Sequence, residues 1–172
     1  MSKSGRPSAG EFAHYAQSDI DYVEGEDAVA ALARQQRETT SLFEHAEDIA
    51  AYAPGKWTLK EVLGHLVDDE RIFLYRALCV ARGDARPLPG FDENEYVAGA
   101  GFQARSMRSL LDEYRIVRES AIAFFDARTD EQWMRRGIVN GYEASVRGLA
   151  FHIAGHELHH LRTVRERYLA RK

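Results

Sequence analysis

The sequence predicts an all-α protein, a four-helix bundle with one long crossover connection. In four separate segments, apolar residues recur at intervals of three and four positions, which is the periodicity of an amphipathic helix. Outside one short stretch near residues 137–142, no segment alternates like a strand. Residues 83–104 form a long connection, and connections of this length are usually functional or cross between non-adjacent helices. Four long helices with one long connection describe a four-helix bundle.

The length and the composition predict a single globular domain that follows a short arm. The chain has 172 residues, and domains typically contain ~100–200. Hydrophobic residues make up 45% and charged residues 29%, as in an ordinary soluble protein. Residues 1–22 are predicted to form an N-terminal arm that packs on the body, and residues 23–172 the single bundle domain. The apolar side chains of the arm are Phe12, Tyr15, Ile20 and Tyr22.

The first two long helices lie on either side of a Pro-Gly break at residues 53–56. The first helix is predicted over about residues 27–47, where Ala, Gln, Arg and Glu are frequent. The second helix begins after Thr58 and runs to about Arg82. Glu61 follows Thr58 by three residues, which predicts a reciprocal capping box at the start of this helix.

The second half of the chain holds the other two long helices. After the irregular stretch 83–104, the third helix is predicted over about residues 105–128. Residues 129–133 have the pattern of a short capped turn, and the Asn140-Gly141 step predicts a small hairpin or a loop. The last helix is predicted from about residue 144 to about residue 168.

Charge and cysteine content narrow the possible partners and the compartment. The net charge of −4 argues against nucleic acid and against an anionic membrane surface as partners. Cys79 is the only cysteine, so no intrachain disulfide can form and a cytoplasmic location is expected. It lies in an apolar run, which predicts a buried, unreactive thiol. No window approaches ~18 consecutive apolar residues, so no membrane span is predicted. The N-terminal residues lack the apolar run of a signal peptide.

Histidines are concentrated on the last predicted helix. His156 and His160 are four residues apart, so their rings lie on one face. At ~100° per residue, His160 falls inside the apolar sector of this helix and His156 at its edge. His152 and His159 are predicted to point towards water or a helix flank. On the second helix, His65 also lies at the edge of the apolar sector.

These positions predict a metal site formed by His65, His156 and His160. Three neutral imidazoles that meet at one point can hold a divalent metal and leave a position open for water, which is the catalytic pattern. Zinc is the first choice, and nickel, iron or manganese would also suit this ligand set. The metal would lower the pKa of bound water to ~7, or bind a thiolate. The alternative is that these are hydrogen-bonded histidines at the border of an apolar face.

Three acidic residues on the same two helices need a role. Asp69 lies one turn from His65 on the same side, whereas Glu70 and Glu157 point into apolar sectors. An unpaired buried carboxylate is costly, so Glu157 is expected either to pair with an arginine or to assist the metal site. Asp69 or Glu157 would be the nearest carboxylate to orient a ligand or transfer a proton. The sequence leaves the roles of all three open.

Two glycines lie inside predicted helices, each directly before a histidine of the predicted site. Gly64 precedes His65 and Gly155 precedes His156. Glycine inside a helix costs ~0.5–1 kcal/mol relative to alanine, so it needs a structural reason. Close approach of the two helix backbones at these glycines is the expected reason.

The segment 156–160 also matches the H-E-x-x-H pattern of zinc metalloproteases. Such enzymes need a third ligand further along the chain, and after His160 only Glu166 is available. No strand framework precedes the helix either. We therefore interpret this match as a coincidence of dense histidines.

In two places the chain resembles the DinB-like family (DinB/YfiT superfamily) of metal-binding four-helix bundles. The first is the block Pro54-Gly55-Lys56-Trp57-Thr58-Leu59-Lys60-Glu61-Val62-Leu63-Gly64-His65-Leu66, and the second is the His156-x-x-x-His160 pair. The resemblance covers about residues 25–170. It implies a divalent metal on the three histidines, a homodimer, and transfer of a low-molecular-weight thiol to a small electrophile, or hydrolysis. The chain reads Leu161-Arg162-Thr163 where the family often has Arg-x-x-Gln, so the resemblance does not specify the substrate.

Two functions stay open at this point. The first is a metal-dependent S-transferase or hydrolase that acts on a small molecule, with the segment from Phe91 to Tyr96 shaping the entrance. The second is a non-catalytic metal-binding bundle, associated with stress or oligomerisation.

Overall fold

The structure is a computed structural model that describes residues 5–46 and 49–170. Within these ranges it consists of seven α-helices and one two-stranded antiparallel sheet. The helices are α1 (Gln17–Asp21), α2 (Ala28–Glu44), α3 (Leu59–Ala81), α4 (Glu93–Ala100), α5 (Met107–Asp126), α6 (Asp130–Met134) and α7 (Val146–Thr163), and the strands are β1 (Arg136–Val139) and β2 (Tyr142–Ser145).

The four long helices α2, α3, α5 and α7 form the bundle, as predicted. Helix α2 packs against α5 and α7, and α3 packs against the same two helices. Helices α2 and α3 are therefore diagonal to each other, although they are consecutive long helices. The longest connection joins α3 to its neighbour α5, so the diagonal steps fall at the shorter connections from α2 to α3 and from α5 to α7.

Each long helix begins at a side chain that caps its first turn. Asp27, Ser106 and Ser145 each accept a hydrogen bond from the backbone N–H three residues further on. Thr58 accepts one from the Glu61 N–H, and the Glu61 carboxylate accepts one from the Thr58 N–H, which confirms the predicted capping box. These bonds satisfy N–H groups that have no partner inside the helix, so local sequence sets the helix starts.

The helix ends differ slightly from the prediction. Helix α2 ends at Glu44, short of the predicted residue 47, and residues 47–48 lie outside the described ranges. Helix α7 begins at Val146 and continues as one π-helical segment over Val164–Leu169. The prediction that residues 83–104 are irregular is wrong, because α4 and a short 3₁₀ turn, Phe102–Ala104, lie within them.

Helix α4 has clear local signals at both ends but little apolar periodicity. The Asp92 side chain accepts hydrogen bonds from the backbone N–H groups of Asn94 and Glu95, and Gly101 ends the helix with φ at 68°. Only Val97 is buried along the helix. The spacing of apolar residues therefore does not predict α4.

Strands β1 and β2 form the hairpin that the Asn140-Gly141 step predicted. Both turn residues have positive φ, 51° at Asn140 and 80° at Gly141, as a type I′ turn requires. Leu88 bridges to Val139 beside the turn, which joins the long connection to the hairpin.

The arm packs on the bundle through part of its predicted apolar set. Phe12 and Ile20 are buried, whereas Tyr15 and Tyr22 are exposed over part of their surface. Helix α1, which lies in the arm, packs against α7. Residues 1–4 of the predicted arm lie outside the described ranges. Cys79 is buried, as predicted.

The prediction that α3 and α7 approach each other at their glycines is wrong. A Cβ at Gly155 would overlap the backbone carbonyl of Asp19 in α1, and a Cβ at Gly64 would overlap the ring of Phe102. Each glycine makes room for a different neighbour, and both neighbours belong to short elements that the sequence did not reveal. Among the described residues, no helix has both the length and the apolar character needed to cross a bilayer.

Candidate metal centre

The structure brings His65 of α3 together with His156 and His160 of α7. The Nε2 atom of His156 lies 3.2 Å from Nε2 of His65 and 3.1 Å from Nε2 of His160. One ring nitrogen from each histidine lies within 4.8 Å of the others. His156 and His160 share a face because they are one helical turn apart, and the packing of α3 on α7 supplies His65.

The spacing of these nitrogens fits ligation of one divalent ion. Zinc lies ~2.0–2.1 Å from histidine nitrogens, so two nitrogens bound at angles between 90° and tetrahedral are ~2.9–3.4 Å apart. Both measured distances, 3.2 and 3.1 Å, fall in this interval. His156 is therefore spaced from each of the other two histidines as two ligands of one ion are.

Burial keeps the three rings neutral, which is the state that binds a metal. It lowers the pKa of His65 to about 4. Burial, followed by the neighbouring His65 and His159, lowers the pKa of His160 to about 3. The pKa of His156 is well below its usual range, first because of burial and then because His160 and His65 are close.

Asp69 holds the outer edge of the His156 ring. Its Oδ2 atom lies 3.2 Å from His156 Nδ1, at the opposite edge of the ring from Nε2. Burial raises the pKa of Asp69 to about 8, against the lowering effect of Arg76. When the proton of this contact resides on Nδ1, Nε2 is left with a lone pair that points at the other two histidines. Of the two carboxylates considered from the sequence, Asp69 is the one beside the centre.

Trp57 and Glu93 complete the surroundings of the triad. The Trp57 ring lies 4.7 Å from the His65 ring, centroid to centroid, and stacks on the His160 ring at 6.2 Å. A carboxylate oxygen of Glu93, in the first turn of α4, lies 4.0 Å from His65 Nε2. Sequence reasoning missed Glu93 because it did not predict α4. The capping signal at Asp92 was the evidence that could have found it.

Two cavities reach the triad. A cavity of about 470 Å³ contacts His156, and a second of about 380 Å³ contacts His160. Glu93 and Asn94 line both of them, and no other lining residue is shared. The first is also lined by Asp69, Phe73, Arg76, Phe91 and His152, and the second by Lys56, Trp57 and Tyr168. Phe91 to Asn94 thus form part of the wall, at the place where the sequence predicted an entrance.

Comparison with protein families matches residues 31–164 to the DinB superfamily. The chain belongs to the DinB superfamily. Among solved structures, this DinB-superfamily chain is similar to YfiT from Bacillus subtilis, with a TM-score of 0.70 and 16% identity. The similarity covers 94% of this chain and 91% of the other, and YfiT is described as a probable metal-dependent hydrolase with an unusual four-helix bundle topology. Comparison with curated proteins finds no match.

Glu70 and Glu157 of this DinB-superfamily chain lie in the bundle core, in an ionic network centred on Arg118. Arg118 Nε and Nη2 donate to Glu70 at 2.7 and 2.9 Å, and Nη2 also donates to Glu157. Glu157 accepts further hydrogen bonds from the hydroxyls of Tyr114, at 2.6 Å, and Thr39. The expected arginine partner of Glu157 is therefore Arg118. The same arginine pairs with Glu70, whose pKa burial raises against the lowering effect of Arg118.

The network also bears on the H-E-x-x-H pattern. Glu157 is held in the core by Arg118 and is not directed at the triad. His159 is half exposed, as predicted, and its Nδ1 lies 3.2 Å from Asp19 Oδ1. The arrangement therefore differs from that of a metalloprotease at the glutamate of the pattern, which contacts Arg118.

The prediction that His152 points towards water or a helix flank is wrong. Its side chain is buried, with its ring 4.6 Å from Phe73 and 6.1 Å from Tyr15. A helical wheel describes one helix alone. It does not show that the N-terminal arm of this DinB-superfamily chain covers this side of α7.

Proposed function

We propose that this protein is a divalent-metal-dependent enzyme that acts on a small electrophilic molecule, as a thiol-dependent S-transferase or as a hydrolase. The observation that supports it is the convergence of His65, His156 and His160, with Asp69 on the outer edge of His156. Three protein ligands with room for an exchangeable fourth are typical of catalytic sites. The description of YfiT as a probable metal-dependent hydrolase agrees with this proposal.

The proposed metal is zinc first, with nickel, iron or manganese as alternatives that the same ligand set accepts. His65, His156 and His160 would hold it. A bound divalent metal lowers the pKa of water or thiol and polarises an electrophile. Asp69 orients His156, and the Glu93 carboxylate, 4.0 Å from His65 Nε2, is placed to accept a proton at the centre. Trp57 packs over two of the rings and shields them from water.

The two cavities support transfer between two molecules. One cavity reaches His156 and the other reaches His160, and they are separated by Glu93 and Asn94. A thiol and an electrophile could each occupy one cavity and meet at the centre, whereas hydrolysis needs one organic substrate and water. This arrangement favours the S-transferase over the hydrolase within the proposal.

Metal content of protein purified without an affinity tag tests the proposal directly. We expect close to one zinc per chain, and loss of that zinc in His65→Ala, His156→Ala and His160→Ala. His159→Ala is the matched control, because His159 is a neighbour on the same helix that points away from the triad. Turnover of a model electrophile, measured with and without a small thiol, then separates transfer from hydrolysis. Unchanged metal content in all three triad variants would refute the proposal.

The proposal includes a cytoplasmic location, inferred from the lone cysteine, and a homodimer, inferred from the family resemblance. Light scattering after size-exclusion chromatography measures the oligomeric state.

A further inference from the structure

Arg76 is a buried arginine that lacks an acidic partner. Its side chain is 4% exposed, and its Nη2 donates to the Pro89 carbonyl at 2.7 Å. Within residues 5–46 and 49–170, no carboxylate lies within ion-pair distance of it. Arg118, which is buried to a similar degree, pairs with both Glu70 and Glu157. Because buried charges in proteins are normally paired, Arg76 is the exception among the residues that the structure describes.

The surroundings of Arg76 leave its edge available to a ligand. Its guanidinium carbon lies 4.8 Å from the Phe73 ring centroid and 5.5 Å from that of Phe91, so aromatic rings pack against it. A guanidinium has five N–H donors, and the Pro89 carbonyl accounts for one contact. Arg76 also lines the 470 Å³ cavity that contacts His156. The unused donors therefore belong to a residue of the cavity wall.

His152 lies in the same cavity and also lacks a polar partner. Its side chain is 8% exposed and packs against Phe73, and it makes no hydrogen bond to any residue that the structure describes. A neutral imidazole offers one N–H donor. Two buried polar side chains, one on each of two bundle helices, thus face one cavity with donors to spare.

The cavity runs from these two residues to the triad. On α7, His152 precedes His156 by one helical turn, and their ring centroids are 6.4 Å apart. On α3, Asp69, Phe73 and Arg76 follow one another along the face that begins at His65. A small molecule held by His152 and Arg76 therefore reaches the triad with its other end.

The acids that line the cavity limit the negative charge that a ligand beside Arg76 can carry. The acids Asp19 and Asp69 are paired with His159 and His156, and Asp92 caps α4. Asp69 attracts Arg76 electrostatically from beyond ion-pair distance, and Glu93 also lines the cavity. Together these acids make the cavity unfavourable for a dianion such as phosphate. One carboxylate matches the one unpaired guanidinium, and its geometry suits the guanidinium fork.

We propose that Arg76 and His152 bind the carboxylate of a small organic acid whose reacting end lies at the triad. This inference names the substrate class and rests on the proposed function for the reaction. The carboxylate site itself needs no metal, so this inference and the proposed function can fail separately.

Binding of simple probes by the full chain, measured by calorimetry, tests the inference. The probes are hexanoate, its neutral analogue hexanamide, and inorganic phosphate. Chelator-treated protein is measured beside metal-loaded protein, because a carboxylate can also ligate the metal directly. We expect hexanoate to bind both forms, at least ~tenfold more tightly than hexanamide, because the amide oxygen accepts hydrogen bonds without the negative charge that strengthens them.

The variants locate the site. Arg76→Met should weaken hexanoate binding at least ~tenfold. Arg76→Lys and His152→Gln keep a polar side chain at each position, and each should also weaken hexanoate binding. Arg82→Met, at an exposed arginine that ends the same helix, is the matched control and should bind as the wild type does. Arg76→Lys and His152→Gln keep the test valid if Arg76→Met fails to fold.

Three results would overturn the inference: hexanamide binding as tightly as hexanoate, phosphate binding more tightly than hexanoate, or unchanged hexanoate binding in Arg76→Lys and His152→Gln. His65→Ala removes a proposed metal ligand and leaves Arg76 and His152 in place, so it separates the proposed function from the proposed carboxylate site. If wild-type protein binds no metal but chelator-treated protein binds hexanoate through Arg76, the proposed function fails and the carboxylate site stands. If metal binds but hexanoate binding is independent of Arg76, the carboxylate site fails and the proposed function stands.

Discussion

The carboxylate oxygen Oδ2 of Asp69 lies 3.2 Å from His156 Nδ1, while Nε2 of the same ring faces His65 and His160. One imidazole is thus held between a buried acid on one edge and two imidazoles on the other. Carboxylates in this position fix the orientation and the tautomer of a metal-binding histidine.

Asp69→Asn keeps the shape of the side chain and replaces its carboxyl group with an amide. We expect zinc affinity to fall by about 10–100-fold, because the ring of His156 loses its fixed orientation and some basicity. Competition with a chromophoric chelator measures the affinity. Asp68→Asn, a partly covered neighbour on α3, is the control and should bind zinc normally. Equal affinity in Asp69→Asn and the wild type would contradict the role given to Asp69.

Removal of the metal should abolish turnover and leave the bundle folded. The Arg118 network joins residues of all four long helices without the triad, so the core keeps its polar contacts. We expect chelator-treated protein to retain its helical circular dichroism and a cooperative melt, at a lower Tm because bound metal stabilises the folded state. Added zinc should restore turnover. A non-catalytic structural metal would instead give no turnover in either form and an unfolded metal-free chain.

Arg118→Met should destabilise the protein strongly. The substitution leaves Glu70 and Glu157 buried without a cation, and breaking a buried ion pair in this way costs about 3–5 kcal/mol. Arg115→Met is the matched control. Arg115 lies on the same helix and makes surface ion pairs with Glu44 and Asp112, which typically contribute about 0–1 kcal/mol. Urea unfolding of both variants gives the free energies, and similar losses would show that the network is not a major source of stability.

Gly155→Ala should destabilise the packing of α1 on α7. The new Cβ would overlap the backbone carbonyl of Asp19, and overpacking of this kind costs about 1–3 kcal/mol. Gly99→Ala in α4 is the opposite case, because its Cβ meets no atom within 4 Å. Alanine there should stabilise the protein by about 0.5–1 kcal/mol through helix propensity. Thermal melts of the two variants should therefore shift in opposite directions.

Because of Glu11, the free energy of unfolding should fall in acid. Burial raises its pKa, but hydrogen bonds from Arg147, Ser8 and Ser145 outweigh burial and hold the pKa at about 2, against 4.5 for a free side chain. Since the folded pKa is the lower one, its stabilisation is complete above pH 4.5 and is lost as the pH falls from 4.5 to 2.

Between pH 4.5 and pH 2, the free energy of unfolding should change less in Glu11→Gln than in the wild type, by up to about 3 kcal/mol. Urea unfolding at a series of pH values measures the difference. Glu24→Gln, at an exposed acid in the same part of the chain, should follow the wild-type curve. If Glu11→Gln also follows that curve, the contacts of Glu11 do not stabilise the folded state.

The features predicted from the sequence are those whose signals are local. Helix α3 could be predicted from its capping box and apolar spacing, and the pairing of His156 with His160 from their four-residue separation. The approach of His65 to them followed from the position of His65 on its helix and from the family resemblance. Helix α4 could not be found in this way, since it buries one residue, and Glu93 was missed with it.

Other features depend on segments far apart in sequence. His152 is buried because Tyr15 of the arm covers it, and a helical wheel contains no information about the arm. The apolar sectors indicated that Glu70 and Glu157 needed partners, but only the packing of α5 between other helices shows that one arginine, Arg118, serves both. The glycines at 64 and 155 likewise signalled close neighbours without identifying them.

Glu93 and Asn94, at the start of an eight-residue helix, form a wall of both cavities that meet at the triad. We expect a molecule that displaces these two residues from one side to change the shape of the cavity on the other. Binding in the two cavities would then be thermodynamically linked, and the factor by which the first ligand changes the affinity for the second would equal the factor by which the second changes the affinity for the first.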